Sequence, residues 1–485
     1  MRNKTRRVHP ATLFFLLTIG LIFLVWLMDI YGVSVFNPHT GKYLRVQSLL
    51  NAEGARWLMR NSITNFSAFA PVGMVVVSLL GIGVAEDSGF LNALSHQLTR
   101  LKWKPRWGLL IMILLGILSN VVGDAGYVFL VPLMALLAPR LGIHPVVAIM
   151  VTFVSVACGY SANWMLSSMD PLLARITQDV SSGLTPQNFN SGPYANYFFM
   201  FGSTLFLTPV IYWVAKKTLI PKLEEKGMVQ ELEEFKELAH REKRSLNIAA
   251  LIGLTFLFLI GWLTFSSLGL FRGVSGELVR SPFIMGALMI LSLSLGIMGV
   301  VYGLSSGKYK RDVDVVMGLT SGIRVLSIYF VIAFFAAQFF ACLTYTQLDQ
   351  LIVLFFGHLT ASVAVDNPTW ALLLFIIYCA WVNLIMVSAL GKWVLISPIF
   401  IPLFWAMGIS PDVVQTAFRV GDSATNVVTP FLYYCPFILA LLHRYIPRVS
   451  FGFIFSNTWK FSVVILIAWA LFFLVWFKLG IPFGV

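Results

Sequence analysis

The sequence predicts an all-α polytopic membrane protein, built as an inverted repeat of re-entrant hairpins and broken helices. Of its 485 residues, 58% are hydrophobic and only 11% are charged, whereas soluble domains carry about a quarter charged residues. Apolar runs of about 20 residues, long enough to cross a ~30 Å hydrocarbon layer, recur from Ala11 to Leu479. The whole chain, 1–485, is therefore expected to be one integral membrane domain.

The charge pattern predicts the orientation of the chain. The net charge is +13, and the basic residues concentrate in short loops beside apolar spans, as the positive-inside rule describes. The basic N-terminus should lie in the cytoplasm, followed by an uncleaved first span over 11–33. This distribution explains the positive charge through membrane topology, so we expect no nucleic-acid partner.

The four cysteines, Cys158, Cys342, Cys379 and Cys435, all fall within apolar segments. There they should behave as small hydrophobic residues. Their spacing indicates neither a disulfide framework nor a metal site.

The first repeat is predicted over about 108–178. A span over about 68–94 leads to the basic loop "RLKWKPRW", and the next apolar stretch is interrupted by "SNVVGDAG" at 119–126. Each arm has about a dozen residues, too short to span a bilayer, so we expect a re-entrant hairpin entering from the cytoplasm. The following helix should be unwound at "CGYSANWM", residues 158–165.

The middle of the chain is expected to contain ordinary spans and one charged loop. The predicted spans cover about 195–215, 248–265, 283–302 and 324–344, and an interfacial segment follows at 348–359. The mixed-charge sequence at about 216–246 predicts a largely helical cytoplasmic loop.

The second repeat is predicted over about 369–443, with the opposite orientation. The polar motif "SALGKW" at 388–393 should form the hairpin tip, and "AFRVGDSATNVVTP" at 417–430 should unwind a helix that begins near Asp412. A last span at about 461–477 would leave the C-terminus outside.

The two halves share the order of a polar hairpin tip, Pro-Leu, Gly-Ile-x-Pro and a broken helix. The segment "VPLMALLAPRLGIHPVV" resembles "IPLFWAMGISPDVV", and "GYSAN" resembles "GDSATN". Paired broken segments in inverted halves are typical of secondary transporters with a binding site near the midplane.

Arg419 and Asp422 are the main candidate site residues. Ionisable side chains at membrane depth are costly and usually face a partner or a wet cavity. The spacing of Arg419 and Asp422 places both on one face of a helix, and Asp422 lies at the predicted break. One interpretation is an internal ion pair between them; the other is that Arg419 meets an anionic substrate while Asp422 carries the coupling ion.

Asp170 follows the first break and is either a counterpart acid or a residue at the outer interface. Asp124 and Lys392 lie at the predicted hairpin tips, where a solvated charge is an alternative to a functional one. Trp393 has the ring to stack on an aromatic ligand, or it serves as an interfacial anchor. Polar side chains beside the breaks suit Na⁺ or cap helices: Ser119, Asn120, Ser161, Asn163, Ser388, Ser423, Thr425 and Asn426.

Six motifs together resemble the AbgT family of p-aminobenzoyl-glutamate transporters, in the family's order and over nearly the whole chain. They are "GVAEDSG" at 83–89, "SNVVGDAGYVFLVPL" at 119–133, "GYSANWMLSSMDPLLARIT" at 159–177, "FFAAQF" at 334–339, "SALGKW" and "RVGDSATNVVTP".

The resemblance implies a homodimer of nine transmembrane helices and two hairpins, related to elevator transporters. It implies p-aminobenzoyl-glutamate, p-aminobenzoate or sulfonamide antimetabolites as substrates. The family's important positions correspond to Asp170, Trp393, Pro411, Arg419, Asp422 and Pro430. The family commonly has a second serine in its hairpin motif, whereas this chain has Leu390 and Gly391 before Lys392, so one hydroxyl is missing.

The sequence therefore predicts a transporter of aromatic carboxylates in a bacterial inner membrane, driven by H⁺ or Na⁺. It is not expected to be an enzyme or to hold a cofactor, apart from possible bound Na⁺. Two alternatives are an intramembrane aspartyl protease that uses Asp124 and Asp422, and a passive channel. Such a protease would have Tyr-Asp and Gly-x-Gly-Asp motifs, which the chain lacks. The direction of transport and the coupling ion stay open.

Overall fold

A computed structural model shows a chain that is helical over most of its length. The structure describes residues 8–99, 104–184, 191–225, 238–273, 276–279, 281–324, 326–363, 367–446 and 449–485. The basic residues of the N-terminus before Val8, and part of the basic loop after Thr99, lie outside the described residues.

The N-terminal part contains a small sheet that the sequence did not predict. Its elements are α1 (Pro10–Ile30), β1 (Ser34–Asn37), β2 (Lys42–Arg45), α2 (Ala52–Ser67), α3 (Ala70–Asp87) and α4 (Phe90–Thr99). The strands pair antiparallel, with Val35 opposite Leu44. The sequence predicted only a polar segment between the first two spans, because a strand pair of this length leaves too short an alternating pattern to recognise.

The first repeat consists of a helical hairpin and a helix interrupted in its middle. Its elements are α5 (Pro105–Leu118), a 3₁₀ turn at Ser119–Val122, a π turn at Gly126–Leu130, α6 (Val131–Leu137), a 3₁₀ turn at Ala138–Leu141, α7 (Pro145–Cys158) and α8 (Asp170–Ser181). Gly123 turns the hairpin with φ of 61°, a left-handed conformation that favours glycine. The chain between α7 and α8 is not helical.

The middle of the chain contains one helix that the sequence did not predict. Its helices are α9 (Tyr197–Val214), which continues through a π turn at Ala215–Leu219 into α10 (Ile220–Glu224), then α11 (His240–Phe265), α12 (Pro282–Met285), α13 (Ala287–Ser306), α14 (Asp312–Ile323), α15 (Leu326–Thr346) and α16 (Leu348–Ala361). Helix α14 was missed because its glycines and its short length weaken the helical pattern. Residues 226–237 of the predicted charged loop lie outside the described part.

The second repeat has the same order of elements as the first. It contains α17 (Pro368–Val382), α18 (Ala389–Ala406), α19 (Pro411–Ala424) and α20 (Cys435–His443), and α21 (Phe451–Lys478) follows it. The turn between α17 and α18 covers 383–388, so the predicted tip at 388–393 is wrong by about a turn. Ser388 is the N-cap of α18 and accepts a hydrogen bond from Gly391 N at 3.2 Å, which extends the helix over Lys392 and Trp393.

The break in the second repeat also lies further along the chain than predicted. Helix α19 continues through Asp422 and ends at Ala424, so Asp422 lies in its last turn and not in unwound chain. Gly421 is needed within the helix because α19 packs closely on α17 here. A Cβ at this position would lie 2.3 Å from Ile376 O of α17. The break begins at Thr425, and Thr425 Oγ1 donates to Ala380 O at 2.9 Å.

Nine helices within the described residues are long and apolar enough to cross a membrane. They include the hairpin arms Pro105–Val122 and Ala389–Ala406, whereas α7 and α17 are shorter apolar helices. The predicted set of nine counted each broken helix as one span and left out the hairpin arms, so the two sets agree in number but differ in their members.

Glycines bring α3, α13 and α14 into backbone contact. A Cβ at Gly83 would lie 2.5 Å from Gly322 Cα of α14, and one at Gly299 of α13 would lie 2.8 Å from Ala85 Cα. Small residues that allow such close approach are typical of helix packing in membranes. The hairpin of the first repeat, residues 105–141, is called hairpin one. It contacts α3 through a side chain and not through close backbones, since Ser78 Oγ of α3 donates to Val128 O at 2.7 Å.

The core lies around α7 and α19. All residues of α7 from Val146 to Cys158 are buried, and so are those of α19 from Val413 to Ala424. Helix α7 is apolar, as expected for a helix buried on every side. Helix α19 instead carries polar and charged side chains into the core, which makes it the centre of the candidate site.

Candidate functional site

The broken segments of the two repeats meet at the centre of the molecule. Asn426, which follows α19, donates from Nδ2 to Ala157 O at the end of α7, over 3.1 Å. Cys158 Sγ lies 3.7 Å from Ala424 O. The ends of α7 and α19 therefore cross, and the polar residues of both breaks converge on one buried region.

Lys392 and Asp422 form a buried ion pair within the second repeat. Lys392 is fully buried and its Nζ contacts Asp422 Oδ1. The same Nζ donates to Asn383 Oδ1. The alternative of a solvated Lys392 at a hairpin tip is therefore wrong, because α18 continues past the tip and places the ammonium against α19.

Asn383 connects this ion pair to the second break. Its Nδ2 donates to Asn426 Oδ1 at 2.9 Å and to Thr425 Oγ1 at 3.1 Å. Asn383 was missed in the sequence analysis, although an amide within the apolar run "YCAWVNLIMV" was a signal. A buried network of this kind stabilises a structure only when its members are hydrogen-bonded.

Arg419 and Asp170 form a second buried ion pair, which joins the two repeats. Arg419 Nη2 lies 2.5 Å from Asp170 Oδ1. The other oxygen, Asp170 Oδ2, accepts hydrogen bonds from Ser167 N at 2.6 Å and from Ser167 Oγ at 3.0 Å. Asp170 is therefore a buried acid that pairs with Arg419, and its depth relative to the outer interface stays a prediction.

The interpretation in which Arg419 pairs with Asp422 is also wrong. Arg419 pairs with Asp170 of α8, and Asp422 pairs with Lys392 of α18. Because neighbouring helices supply both partners, the spacing of two charges along α19 could not identify them.

Trp393 is buried beside the ion pairs. Its ring lies 4.8 Å from the ring of Phe418, and its Nε1 donates to Thr177 Oγ1 at 2.9 Å. Gln415 Oε1 also lies 3.1 Å from Thr177 Oγ1. Trp393 thus links α18 to α8 and α19 in this conformation. Thr177 and Gln415 were missed, because single polar residues on amphipathic helices resemble solvent-facing ones.

Several of the predicted oxygen and amide residues retain unused hydrogen-bonding capacity. Asn120 donates to Ile117 O and Val156 O, but its Oδ1 accepts no described hydrogen bond. Asn163 Nδ2 and Ser423 Oγ are likewise buried without a partner among the described residues. Such groups usually have a ligand, ion or water partner, and carbonyl and hydroxyl oxygens of this type suit Na⁺.

The remaining predicted residues have local structural contacts. Ser119 Oγ donates to Gly116 O at 2.7 Å, and Ser388 caps α18. Pro411 is the first residue of α19, a position where proline loses no hydrogen bond. Pro430 lies within the second break.

Asp124 lies at the turn of hairpin one and is partly buried. Its carboxyl group lies beside the hydroxyl group of Tyr434 from the second break, and that hydroxyl group donates to Met74 Sδ at 3.5 Å. The Tyr434 ring stacks on Tyr127 at 4.8 Å with an interplanar angle of 6°. Asp124 is therefore part of the buried polar centre, and its interpretation as a purely solvated charge is wrong.

Within the described residues, no three or more His, Cys, Asp or Glu side chains come together as a metal site. The chemistry available is that of two buried ion pairs, one further carboxyl group and several unpaired polar atoms at the crossing of two broken helices. Together with the nine candidate spans, this arrangement defines a multi-span membrane transporter as the class of protein.

Comparisons with known proteins identify the family. The model of the "AbgT putative transporter family" matches residues 4–485, so the chain belongs to the AbgT family. A p-aminobenzoyl-glutamate transport protein of Escherichia coli (strain K12) is 27% identical over 478 residues, which cover 98% of this chain and 93% of the relative. The family predicted from the six motifs is confirmed.

Two solved structures share the fold. The YdaH transporter of Alcanivorax borkumensis is 31% identical, with a TM-score of 0.55 over 99% of this chain and 100% of that one. Neisseria gonorrhoeae MtrF, described as illuminating a class of antimetabolite efflux pumps, is 32% identical, with a TM-score of 0.52 over 97% of this chain and 96% of that one.

These relatives confirm the predicted polytopic transporter fold. Their names describe transport and efflux, which confirms the prediction that this chain is a transporter and not an enzyme. The protease alternative is therefore wrong.

Proposed function

We propose that this protein is a secondary active transporter for aromatic carboxylates, driven by an H⁺ or Na⁺ gradient. The proposed substrates are p-aminobenzoyl-glutamate, p-aminobenzoate or related sulfonamide antimetabolites. The names of the relatives, a p-aminobenzoyl-glutamate transport protein and a member of a class of antimetabolite efflux pumps, support this substrate class. The proposed setting is a homodimer in a bacterial inner membrane, with the N-terminus in the cytoplasm and the C-terminus outside.

The ion pair between Arg419 and Asp170 is the observation that carries the proposal. A buried guanidinium group is a strong partner for a carboxylate, and here it already holds one at 2.5 Å. A substrate carboxylate of the same geometry would replace Asp170 at Arg419. The protein thus contains an internal group that occupies the position of the substrate.

This replacement provides a physical reason for ion coupling. Leaving one member of a buried ion pair without its partner costs about 3–5 kcal/mol, so Asp170 would need a cation after it released Arg419. A proton or Na⁺ would neutralise it. Asp422 would couple the ion in the same way, because its pairing with Lys392 changes when α18 moves against α19.

Trp393 would contribute the aromatic part of substrate recognition. Its ring contacts Phe418 at 4.8 Å, and a substrate ring of similar size would stack in place of that contact. The unpaired atoms of Asn163 and Ser423 would bind the polar part of the substrate or the ion. Leu390 and Gly391 supply no hydroxyl group, so the missing family serine should narrow the range of bound ligands.

The test is flux of radiolabelled p-aminobenzoyl-glutamate and p-aminobenzoate in proteoliposomes, with H⁺ and Na⁺ gradients imposed separately in each direction. We expect Asp422→Asn and Arg419→Ala to abolish flux. Arg175→Ala and Asp179→Asn are matched controls, because this pair is exposed on α8 and should not affect flux. Undiminished transport by the Asp422 and Arg419 variants would overturn the site assignment.

Counterflow separates a transporter from a passive channel. Substrate inside the vesicles should accelerate the entry of labelled substrate when a carrier exchanges one for the other. Single-channel currents without counterflow would favour the channel.

A further inference from the structure

A cavity of about 480 Å³ lies away from the ion pairs, between α2, the start of α3, the second half of α15 and the second break. Helix α3 begins at this cavity and ends at Asp87, on the side predicted to be cytoplasmic. The cavity is therefore on the side predicted to be outside. Its volume falls in the range of about 300–1,000 Å³ that is typical of small-molecule sites.

Five aromatic rings contribute to the walls of this cavity. The rings belong to Trp57, Phe69, Phe340, Tyr345 and Tyr433. Trp57 and Tyr345 lie 4.4 Å apart, Phe69 stacks on Phe340 at 6.0 Å, and Phe340 meets Tyr433 edge to face at 4.7 Å. Such a wall offers both ring faces and ring edges to a further aromatic group.

The polar groups of the cavity are few and uncharged. Asn65 and Thr344 line it, and no Asp, Glu, Lys, Arg or His occurs among its described lining residues. Asn65 is held in place because its Nδ2 donates to Gln338 Oε1 at 3.1 Å. Arg56 and Arg60 are exposed on the same helix as Trp57. Glu53 is also exposed on this helix and lies near Tyr345. An aromatic ring would fit the cavity while an attached carboxylate stayed in water.

The cavity and the central site include neighbouring residues of the chain. Tyr433 lines the cavity, and the next residue, Tyr434, lies beside Asp124 and stacks on Tyr127. Both tyrosines belong to the break that begins at Thr425, beside the network of Lys392 and Asp422. A group bound in the cavity would thus contact the same segment that forms the central site.

We infer that this cavity is a second binding site, which holds the aromatic ring of a transported carboxylate on the outer side of the protein. The inference rests on the proposed function for the identity of the ligand. The alternative occupant, a lipid acyl chain, would gain nothing from Asn65, Thr344 and the hydroxyl groups of the two tyrosines, and it becomes an outcome of the test.

Protection of an introduced cysteine tests the site in the full-length protein. The native cysteines are all buried, so they should react little with a hydrophilic maleimide. Thr344 is exposed and lines the cavity, whereas Thr64 is exposed on α2 outside it. Thr344→Cys is therefore the reporter and Thr64→Cys its matched control, both reconstituted in lipid nanodiscs without any ion gradient.

We expect p-aminobenzoate, at about two to nine times its dissociation constant, to slow the labelling of Thr344→Cys by about three- to tenfold, because the rate follows the fraction of sites that are free of ligand. Glutamate should not slow it, and Thr64→Cys should react at the same rate with and without either compound. Adding Trp57→Ala should weaken protection by about three- to tenfold in apparent affinity, and Trp57→Phe should retain most of it.

A further variant separates this inference from the proposed function. Protection of Thr344→Cys should persist together with Arg419→Ala, which removes carboxylate binding at the centre. Protection without any gradient-driven flux would support the cavity and reject the proposed function. Flux without protection, equal protection by glutamate, loss of protection with Arg419→Ala, or labelling that is slow in lipid whether or not ligand is present would each overturn the inference.

Discussion

The two repeats place their charged residues at different points of a similar order of elements. In the second repeat, Lys392 lies in the first turn of α18 and Asp422 in the last turn of α19, and the two charged groups form an ion pair. In the first repeat, Asp124 lies at the turn of the hairpin and Asp170 lies at the start of α8, beyond the break.

This difference changes where each repeat finds its partners. The ion pair of the second repeat is internal, whereas Asp124 and Asp170 of the first repeat bind groups from the second, Tyr434 and Arg419. The second repeat therefore contributes both buried cations of the centre, and the first contributes acids that depend on it. Movement of one repeat against the other would break the pairs of the first repeat, whereas the internal pair of the second would change only when α18 moves against α19.

The largest effect should follow removal of the internal cation. Lys392→Met leaves Asp422 buried without its partner, which should cost about 3–5 kcal/mol and abolish flux. Thermal unfolding in detergent measures the loss. Lys392→Met combined with Asp422→Asn should regain most of the stability without restoring flux, and a double variant as unstable as the single one would show that the pair is not internal to the second repeat.

Removal of the acid that bridges the repeats should separate binding from transport. Asp170→Asn no longer competes as a carboxylate for Arg419, so p-aminobenzoate should bind about tenfold more tightly, while coupled flux should fall. Equilibrium binding with radiolabelled ligand measures the first effect. Asp179→Asn on the same helix is the control, and weaker binding by Asp170→Asn would contradict exchange at Arg419.

The contact of Asp124 with the second repeat should be of intermediate strength. Tyr434→Phe retains the stacking on Tyr127 but removes the hydroxyl group that lies beside Asp124 and donates to Met74 Sδ, at a cost of about 1–2 kcal/mol. Thermal unfolding of Tyr434→Phe alone and combined with Asp124→Asn measures the coupling between the two residues. Additive losses would show that they do not interact.

The smallest effect should come from an ion pair that connects α20 to α3 at the surface. Arg444 makes a bidentate contact with Glu86, in which Nη1 and Nη2 each donate to one carboxylate oxygen. The two side chains are nevertheless 41% and 33% exposed. Glu86→Gln should therefore cost less than about 1 kcal/mol, and added salt should reduce the difference from the unsubstituted protein further. A loss as large as that of Lys392→Met would mean that burial does not decide the strength of these pairs.

The sequence predicted the approximate positions of the apolar helices and polar turns better than the partners of the charges. Polar and glycine residues within apolar runs marked both hairpins and both breaks, because lipid cannot satisfy exposed backbone groups. Arg419 and Asp170 are 249 residues apart, and no local pattern indicates such a pairing. The end of α19 was misplaced because Gly421 was taken as a helix breaker, whereas close packing on α17 requires it within the helix.

The candidate site was predicted in composition but not in geometry. Arg419, Asp422 and Asp170 were selected because charge at membrane depth is unusual, whereas Lys392 was placed at a hairpin tip, with a solvated charge as the alternative. Asn383 and Tyr434 were missed because an amide or a phenol costs less to bury than a charge, so its presence in an apolar run attracts less attention.

The glycine contacts of α3 with α13 and α14 have a consequence for motion. Helices whose backbones touch at Gly83, Gly299 and Gly322 cannot slide freely at those points, so they should behave as a single rigid unit over the microseconds to milliseconds of domain movement. Hairpin one meets this unit through side chains such as Ser78, whose Oγ donates to Val128 O. The plane along which the protein changes shape should therefore run between α3 and hairpin one, and spin labels on α3 and hairpin one should change their distance more than labels on α3 and α13.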